Sequence, residues 1–169
     1  MTGTVYGEQV TFNHSMLRIK DPKILLDFYN PVLGLRVLRE LDLAGLKLSL
    51  HFLKVGSSAK SAPADAGERN ASKFAQTGIL ELTHNWVTKD DADFKNHNGN
   101  AQPQEFGRIC FSVPNLAAAV AWFDLNAVAF FKRPEQGKMK NVAFIQNLDG
   151  YWIEIVGPDR LKKLDMPVS

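Results

Sequence analysis

Apolar and polar positions fall into a pattern that runs along this chain twice. Residues 14–19 alternate, with Ser15, Leu17 and Ile19 on one face, as in a half-buried strand; Ile109, Phe111 and Val113 repeat the alternation. Setting His14 over Arg108, 94 positions later, brings Met16 over Cys110, Leu17 over Phe111, Ile19 over Val113 and Asp21 over Asn115. The aromatic pair Phe28-Tyr29 then falls on Trp122-Phe123. Asp and Asn are favoured helix N-caps, so each copy predicts a helix next, over 22–33 and 116–126. Pro22 sits where a first-turn proline is tolerated, and Gly34 where a helix stops. Three strand-like stretches follow each helix: 36–41, 47–55 and 79–83, then 129–133, 142–146 and 152–156. The turn signal Asp149-Gly150 separates the last two.

Each half therefore reads β-α-β-β-β, and the chain is expected to be an α+β protein of two βαβββ modules. Their curved mixed sheets are expected to enclose a cleft, within one chain or across a dimer. The first module covers 1–85, with a Ser-, Ala- and Gly-rich stretch at 56–77 expected as a mobile surface loop. A polar connecting arm follows over 86–105, and the second module with a C-terminal tail covers 106–169.

Composition narrows the partners. Hydrophobic residues make up 45% of 169, enough for a packed core. Twenty basic against eighteen acidic side chains give +2, a balance that argues against nucleic acid or an anionic membrane surface. The longest apolar-rich run, 111–123, is too short to span a bilayer and contains Pro114. Residues 1–10 lack a signal-peptide pattern, and the lone Cys110 permits no intrachain disulfide. A cytoplasmic protein acting on a small molecule is the expectation.

Strand alternation then picks out candidate chemistry. His14, Met16 and Arg18 should share the face opposite Leu17 and Ile19, and Arg108, Cys110 and Ser112 the matching face of the second copy. Glu81, between Leu80 and Leu82, and Glu154, between Ile153 and Ile155, also point away from the helix layer and occupy matching places in the repeat. A mid-strand glutamate is ordinarily a solvated surface residue, but two at matched positions beside His14 and Arg108 suggest a site. Half-buried carboxylates need a metal, a guanidinium or a hydrogen-bonding partner. Met16 and Trp152 read as ordinary packing, His84 and His97 as loop-ordering donors, and Cys110 as an inert half-buried thiol.

Several segments in order carry a resemblance: Asn13 to Pro22, Leu80-Glu81-Leu82-Thr83-His84-Asn85-Trp86, His97-Asn98-Gly99-Asn100, Phe106-Gly107, Gly137-Lys138-Met139-Lys140 and Asp149 to Ile155. Together, from about Phe12 to Val156, they resemble the glyoxalase I (lactoylglutathione lyase) family of the vicinal-oxygen-chelate superfamily. That family isomerises the hemithioacetal of methylglyoxal and glutathione, using a divalent metal, commonly zinc or nickel. The resemblance implies His14, Glu81 and Glu154 as metal ligands, Arg108 at the fourth ligand position, and Glu154 as chief proton shuttle. It implies Arg18 and Asn85 at the γ-glutamyl end of glutathione, and Lys132 and Met139 near its glycyl end and the mouth of the site. It also implies a homodimer whose clefts take residues from both subunits.

Two departures qualify the resemblance. The family has His where this chain has Arg108, which has no lone pair for a metal and adds a positive charge. Gln104-Glu105 stands where the family has Arg-Gly, an arginine that pairs with a glutathione carboxylate. Metal binding is accordingly expected to be weak or absent. Catalytic roles fall to Glu154, Glu81 and Arg108, in a proton transfer next to a carbonyl through an enediolate. The alternatives are a metal-free enzyme on the same scaffold acting on another small organic substrate, as in secondary metabolism, or a non-catalytic small-molecule-binding protein.

Overall fold

Each half of the sequence builds its own four-stranded mixed sheet. The computed structural model describes residues 10–56 and 63–158. The chain divides between Phe94 and Lys95 into two compact units, inside the stretch expected to connect the modules. Unit 1 holds β1 (His14–Ile19), α1 (Pro22–Leu33), β2 (Leu35–Leu43), β3 (Leu48–Val55), α2 (Ala66–Phe74) and β4 (Ile79–Asn85). Unit 2 holds β5 (Arg108–Ser112), α3 (Leu116–Leu125), β6 (Phe130–Lys132), β7 (Val142–Gln146) and β8 (Trp152–Val156). The strand orders, β1-β4-β3-β2 and β5-β8-β7-β6, are the same topology twice. In each, the first strand pairs parallel with the last, and the other neighbours are antiparallel. Both sheets are open, and no helix among the described residues is long and apolar enough to cross a membrane.

The helix signals act as read. The Asp21 side chain accepts from the Lys23 N–H at 2.9 Å, and Asn115 accepts from Ala118 at 3.0 Å. Gly34, at φ +68°, ends α1 in the left-handed region that a Cβ disfavours. The buried face of sheet 1 carries Leu17, Ile19, Leu53, Leu80 and Leu82, and α1 adds Leu25, Phe28 and Tyr29 to that core. Each such aliphatic side chain contributes about 1.5–3 kcal/mol by leaving water. In unit 2, Ile153 and Ile155 are buried with Phe123 of α3. The β7–β8 turn is built on Asn147, whose side-chain oxygen accepts from the N–H groups of Asp149 and Tyr151.

Two expectations are corrected. The stretch 56–77 is not wholly loop: Ala66–Phe74 is helical, while residues 57–62 lie outside the described ones. Asp65 caps this helix by accepting from the Glu68 N–H at 2.8 Å. Glu68 in the first turn and Lys73 in the last both favour the helix dipole. His84 is not a loop residue either. It lies within β4 on the helix-facing side, 7% exposed, and its Nε2 has no hydrogen-bond partner among the described residues.

That position makes His84 an acid-sensitive element. Burial pushes its pKa below the usual 6.5, opposed by Asp21 and reinforced by His51. The unfolded chain therefore binds a proton that the folded one refuses, so stability is full above about pH 6.5 and falls as pH drops below it. The melting temperature should decline between pH 7.5 and 5.5, and His84→Gln should flatten that decline in a thermal melt series. An unchanged slope in the variant would remove His84 as the cause.

Candidate active site

On unit 1, the parity of β1 and β4 puts His14, Met16, Arg18, Glu81 and Asn85 on the face opposite the α1 core. His14 Nε2 lies 3.0 Å from Glu81 Oε2, while Thr83 donates to Glu81 Oε1 at 3.1 Å, so both carboxylate oxygens are engaged. Asn13 sets the imidazole. Its amide nitrogen donates to the carbonyls of Lys73 (2.9 Å) and Gln76 (2.6 Å), which leaves its oxygen to accept from His14 Nδ1 at 2.7 Å. The network thus assigns a proton to Nδ1, and Nε2 can face the Glu81 oxygen favourably only with a proton between them. Arg18 Nη1 donates to Asn85 Oδ1 at 3.4 Å, a long contact between two residues expected at the γ-glutamyl end of glutathione.

On unit 2, Arg108, Cys110 and Ser112 of β5 share a face with Trp152 and Glu154 of β8. Arg108 Nε donates to Glu154 Oε2 at 2.6 Å, a charge-assisted bond made through one nitrogen. Glu154 is largely covered, its side chain 14% exposed, whereas that of Arg108 is 44% exposed. Glu154 Oε1 and the terminal guanidinium nitrogens make no hydrogen bond among the described residues. Phe144, directly across from Glu154 on β7, lies beneath the guanidinium at 5.4 Å. Cys110, across from Glu154 on the other side, is exposed rather than half-buried. Desolvation of its thiol pushes the pKa up, Glu154 adds to the rise and Arg108 opposes it, so the thiol is a poor nucleophile.

Lys132 is committed elsewhere. Its ammonium donates to the carbonyls of Met139 (2.6 Å), Val142 (2.7 Å) and Arg133 (3.2 Å), so all three donors hold the loop that carries the exposed Met139. His97 orders a loop as an acceptor rather than as the expected donor, taking the Gly99 N–H at 3.3 Å. Gly99, at φ +77°, cannot be replaced without displacing Phe106, whose carbonyl oxygen would lie 1.5 Å from an added Cβ. Trp152 stacks on Phe131 at 3.6 Å.

Sequence reasoning missed several groups. Phe52 stands opposite Glu81 as Phe144 stands opposite Glu154, and Lys73 and Phe74 reach the same face from α2. The helix N-terminus was signalled by Asp65-x-x-Glu68, a capping pattern hidden in small residues.

The donor set bears on the family's metal. His14, with Nδ1 fixed by a neighbour, and Glu81 are suitable ligands. Arg108 is not, and its cation occupies an oxygen of Glu154 that a metal would need. On unit 2, then, Arg108 and the oxygen of Glu154 that it holds do not fit a divalent metal.

Comparison with known proteins agrees with the architecture. Residues 11–155 match the Glyoxalase/Bleomycin resistance protein/Dioxygenase superfamily. The lactoylglutathione lyase of Pseudomonas aeruginosa is 50% identical over 149 residues, 88% of this chain and 83% of that protein. That of Pseudomonas putida is 45% identical over 153 residues, covering 90% and 88%. Among solved structures, the trypanothione-dependent glyoxalase I of Leishmania major shares the fold, with TM-score 0.67, 24% identity and 90% of each chain covered. With two like βαβββ units, matched glutamates and relatives of this identity over most of its length, the chain belongs to the Glyoxalase/Bleomycin resistance protein/Dioxygenase superfamily.

Proposed function

We propose that this chain is a glyoxalase-I-like isomerase (lactoylglutathione lyase) acting on a glutathione hemithioacetal, with Arg108 in place of a metal ligand. The observation that carries the reading is the asymmetry of the two glutamates. Glu81 has both oxygens engaged, whereas among the described residues Glu154 keeps Oε1 without a hydrogen bond and is held through Oε2 by Arg108. Glu154 is therefore the base. Its Oε1 takes the proton from the hydroxyl-bearing carbon, the electron pair forms the enediolate, and the same oxygen returns the proton to the adjacent carbon. Such transfer needs the developing oxyanion stabilised, which the remaining guanidinium N–H groups supply. The His14–Glu81 pair shares one proton and relays it between the two substrate oxygens. In this reading a homodimer brings unit 1 of one subunit to unit 2 of the other, and the protein works in the cytoplasm.

Arg18 and Asn85 hold the γ-glutamyl end of glutathione. A charge-assisted contact is worth roughly 1.5–3 kcal/mol, so Arg18→Ala should weaken binding of an S-substituted glutathione by about tenfold or more. Calorimetry with S-hexylglutathione checks this; absence of binding by the wild type at millimolar ligand would remove glutathione from the account. In that event the Arg108–Glu154 pair favours a metal-free enzyme on another small organic substrate over a pure binder, because it keeps a base oxygen free beside a cation.

A further inference from the structure

Unit 1 carries positive charge that neither the glutathione contacts nor the proton relay uses. Arg39 and Glu81 flank Phe52 on neighbouring strands, each directly across from it. Lys73, reaching in from α2, sets its ammonium 3.6 Å above the Phe52 ring and 4.0 Å from the ring of Phe74, which itself lies beside His14. Lys73 is 2% exposed, and among the described residues no carboxylate lies within ion-pair distance of it. Arg39 is equally short of partners: its Nε is buried with no acceptor, and Nη1 has only a 3.5 Å contact to the Ala66 carbonyl. Burial and the neighbouring Arg39 both lower the Lys73 pKa, and Glu81 alone among the causes opposes them.

A buried ammonium and a half-buried guanidinium, beside a carboxylate already engaged by His14 and Thr83, leave positive charge in a place where uncompensated charge is costly. Ring faces offset part of that cost but do not neutralise it. The second half of the repeat shows the ordinary solution. Lys132 stands across from Phe144 as Arg39 stands across from Phe52, and there three backbone carbonyls take the ammonium's donors. Unit 1 has no such arrangement among the described residues.

We propose that Arg39 and Lys73, with the rings of Phe52 and Phe74, form an anion-binding subsite for a carboxylate on the carbon substituent of the substrate. The inference rests on the glutathione reading for its direction. With the peptide anchored at Arg18 and Asn85 and the substrate oxygens at the His14–Glu81 relay, the substituent extends across the sheet onto Phe52. The substrate class is then a 2-oxoaldehyde adduct whose substituent has a short apolar or aromatic stem ending in an anion. The ammonium rests on the rings until the carboxylate arrives, and then bonds to it.

Calorimetry on the full chain with S-benzylglutathione, S-(4-carboxybenzyl)glutathione and benzoate tests the subsite. The wild type should bind the carboxylated ligand about tenfold tighter than the uncharged one, as a charge-assisted contact requires. Lys73→Met, which keeps the apolar stem, and Arg39→Met should each bring the two affinities to within about twofold. A wild type that takes the uncharged ligand as tightly as the charged one overturns the subsite. If neither glutathione derivative binds, benzoate decides. Binding that Lys73→Met abolishes keeps the subsite and removes the glutathione reading; no binding, or binding that the variant leaves intact, removes both.

Discussion

On the proposed reading, Arg108→His should raise the metal content of this protein to stoichiometric. The guanidinium has no lone pair, and its Nε holds Glu154 Oε2 at 2.6 Å. Removing it frees that oxygen and supplies an imidazole beside Glu154, which the proposed cleft would add to His14 and Glu81. It also deletes a cation whose repulsion of a divalent ion at a few ångströms is on the order of several kcal/mol at intermediate dielectric. Zinc or nickel content after dialysis should therefore rise from well below one to about one ion per cleft, a full ligand set being what such ions require. Mass spectrometry of the dialysed proteins reads the change directly. Equal occupancy in wild type and variant would mean that Arg108 does not control the metal.

The second large effect concerns the glutamates and the assembly together. On the proposed mechanism Glu154→Gln removes the base and Glu81→Gln breaks the relay with His14, so each variant alone should lose roughly 10²–10⁴ of its turnover. If each cleft joins unit 1 of one subunit to unit 2 of the other, a mixed dimer of the two variants contains one cleft with both substitutions and one with neither. Co-refolded in equal amounts, half the dimers are mixed, and activity should return to about a quarter of the wild-type value. Should the mixture stay as inactive as its components, the cleft is completed within one chain or the dimer does not form.

Much of this was legible in the sequence because strands have a period of two. Alternation alone put Glu81 between buried leucines and Glu154 between buried isoleucines, and both sit on the face opposite the core. The same parity, carried two residues further, would have placed His84 inside the sheet; β4 runs on to Asn85 where the sequence suggested an end near Thr83. Which glutamate takes Arg108 was not legible. That depends on the pairing of β5 beside β8, with Cys110 facing Glu154, and no local pattern encodes the register of strands more than forty residues apart. The α2 helix was masked by its low apolar content, its helical periodicity being carried by charged and polar residues among Ala, Gly and Ser. Lys73, in a polar run, resembled a solvated lysine until the helix turned it onto Phe52.

Formation of S-lactoylglutathione from methylglyoxal and glutathione by wild-type protein, before and after exhaustive dialysis against a chelator, separates chemistry done by residues from chemistry done by a metal. With Arg108 and Glu154 carrying the oxyanion and the proton, activity should survive chelation and be lost in Glu154→Gln. Activity that disappears on chelation and returns with added zinc or nickel would contradict the account.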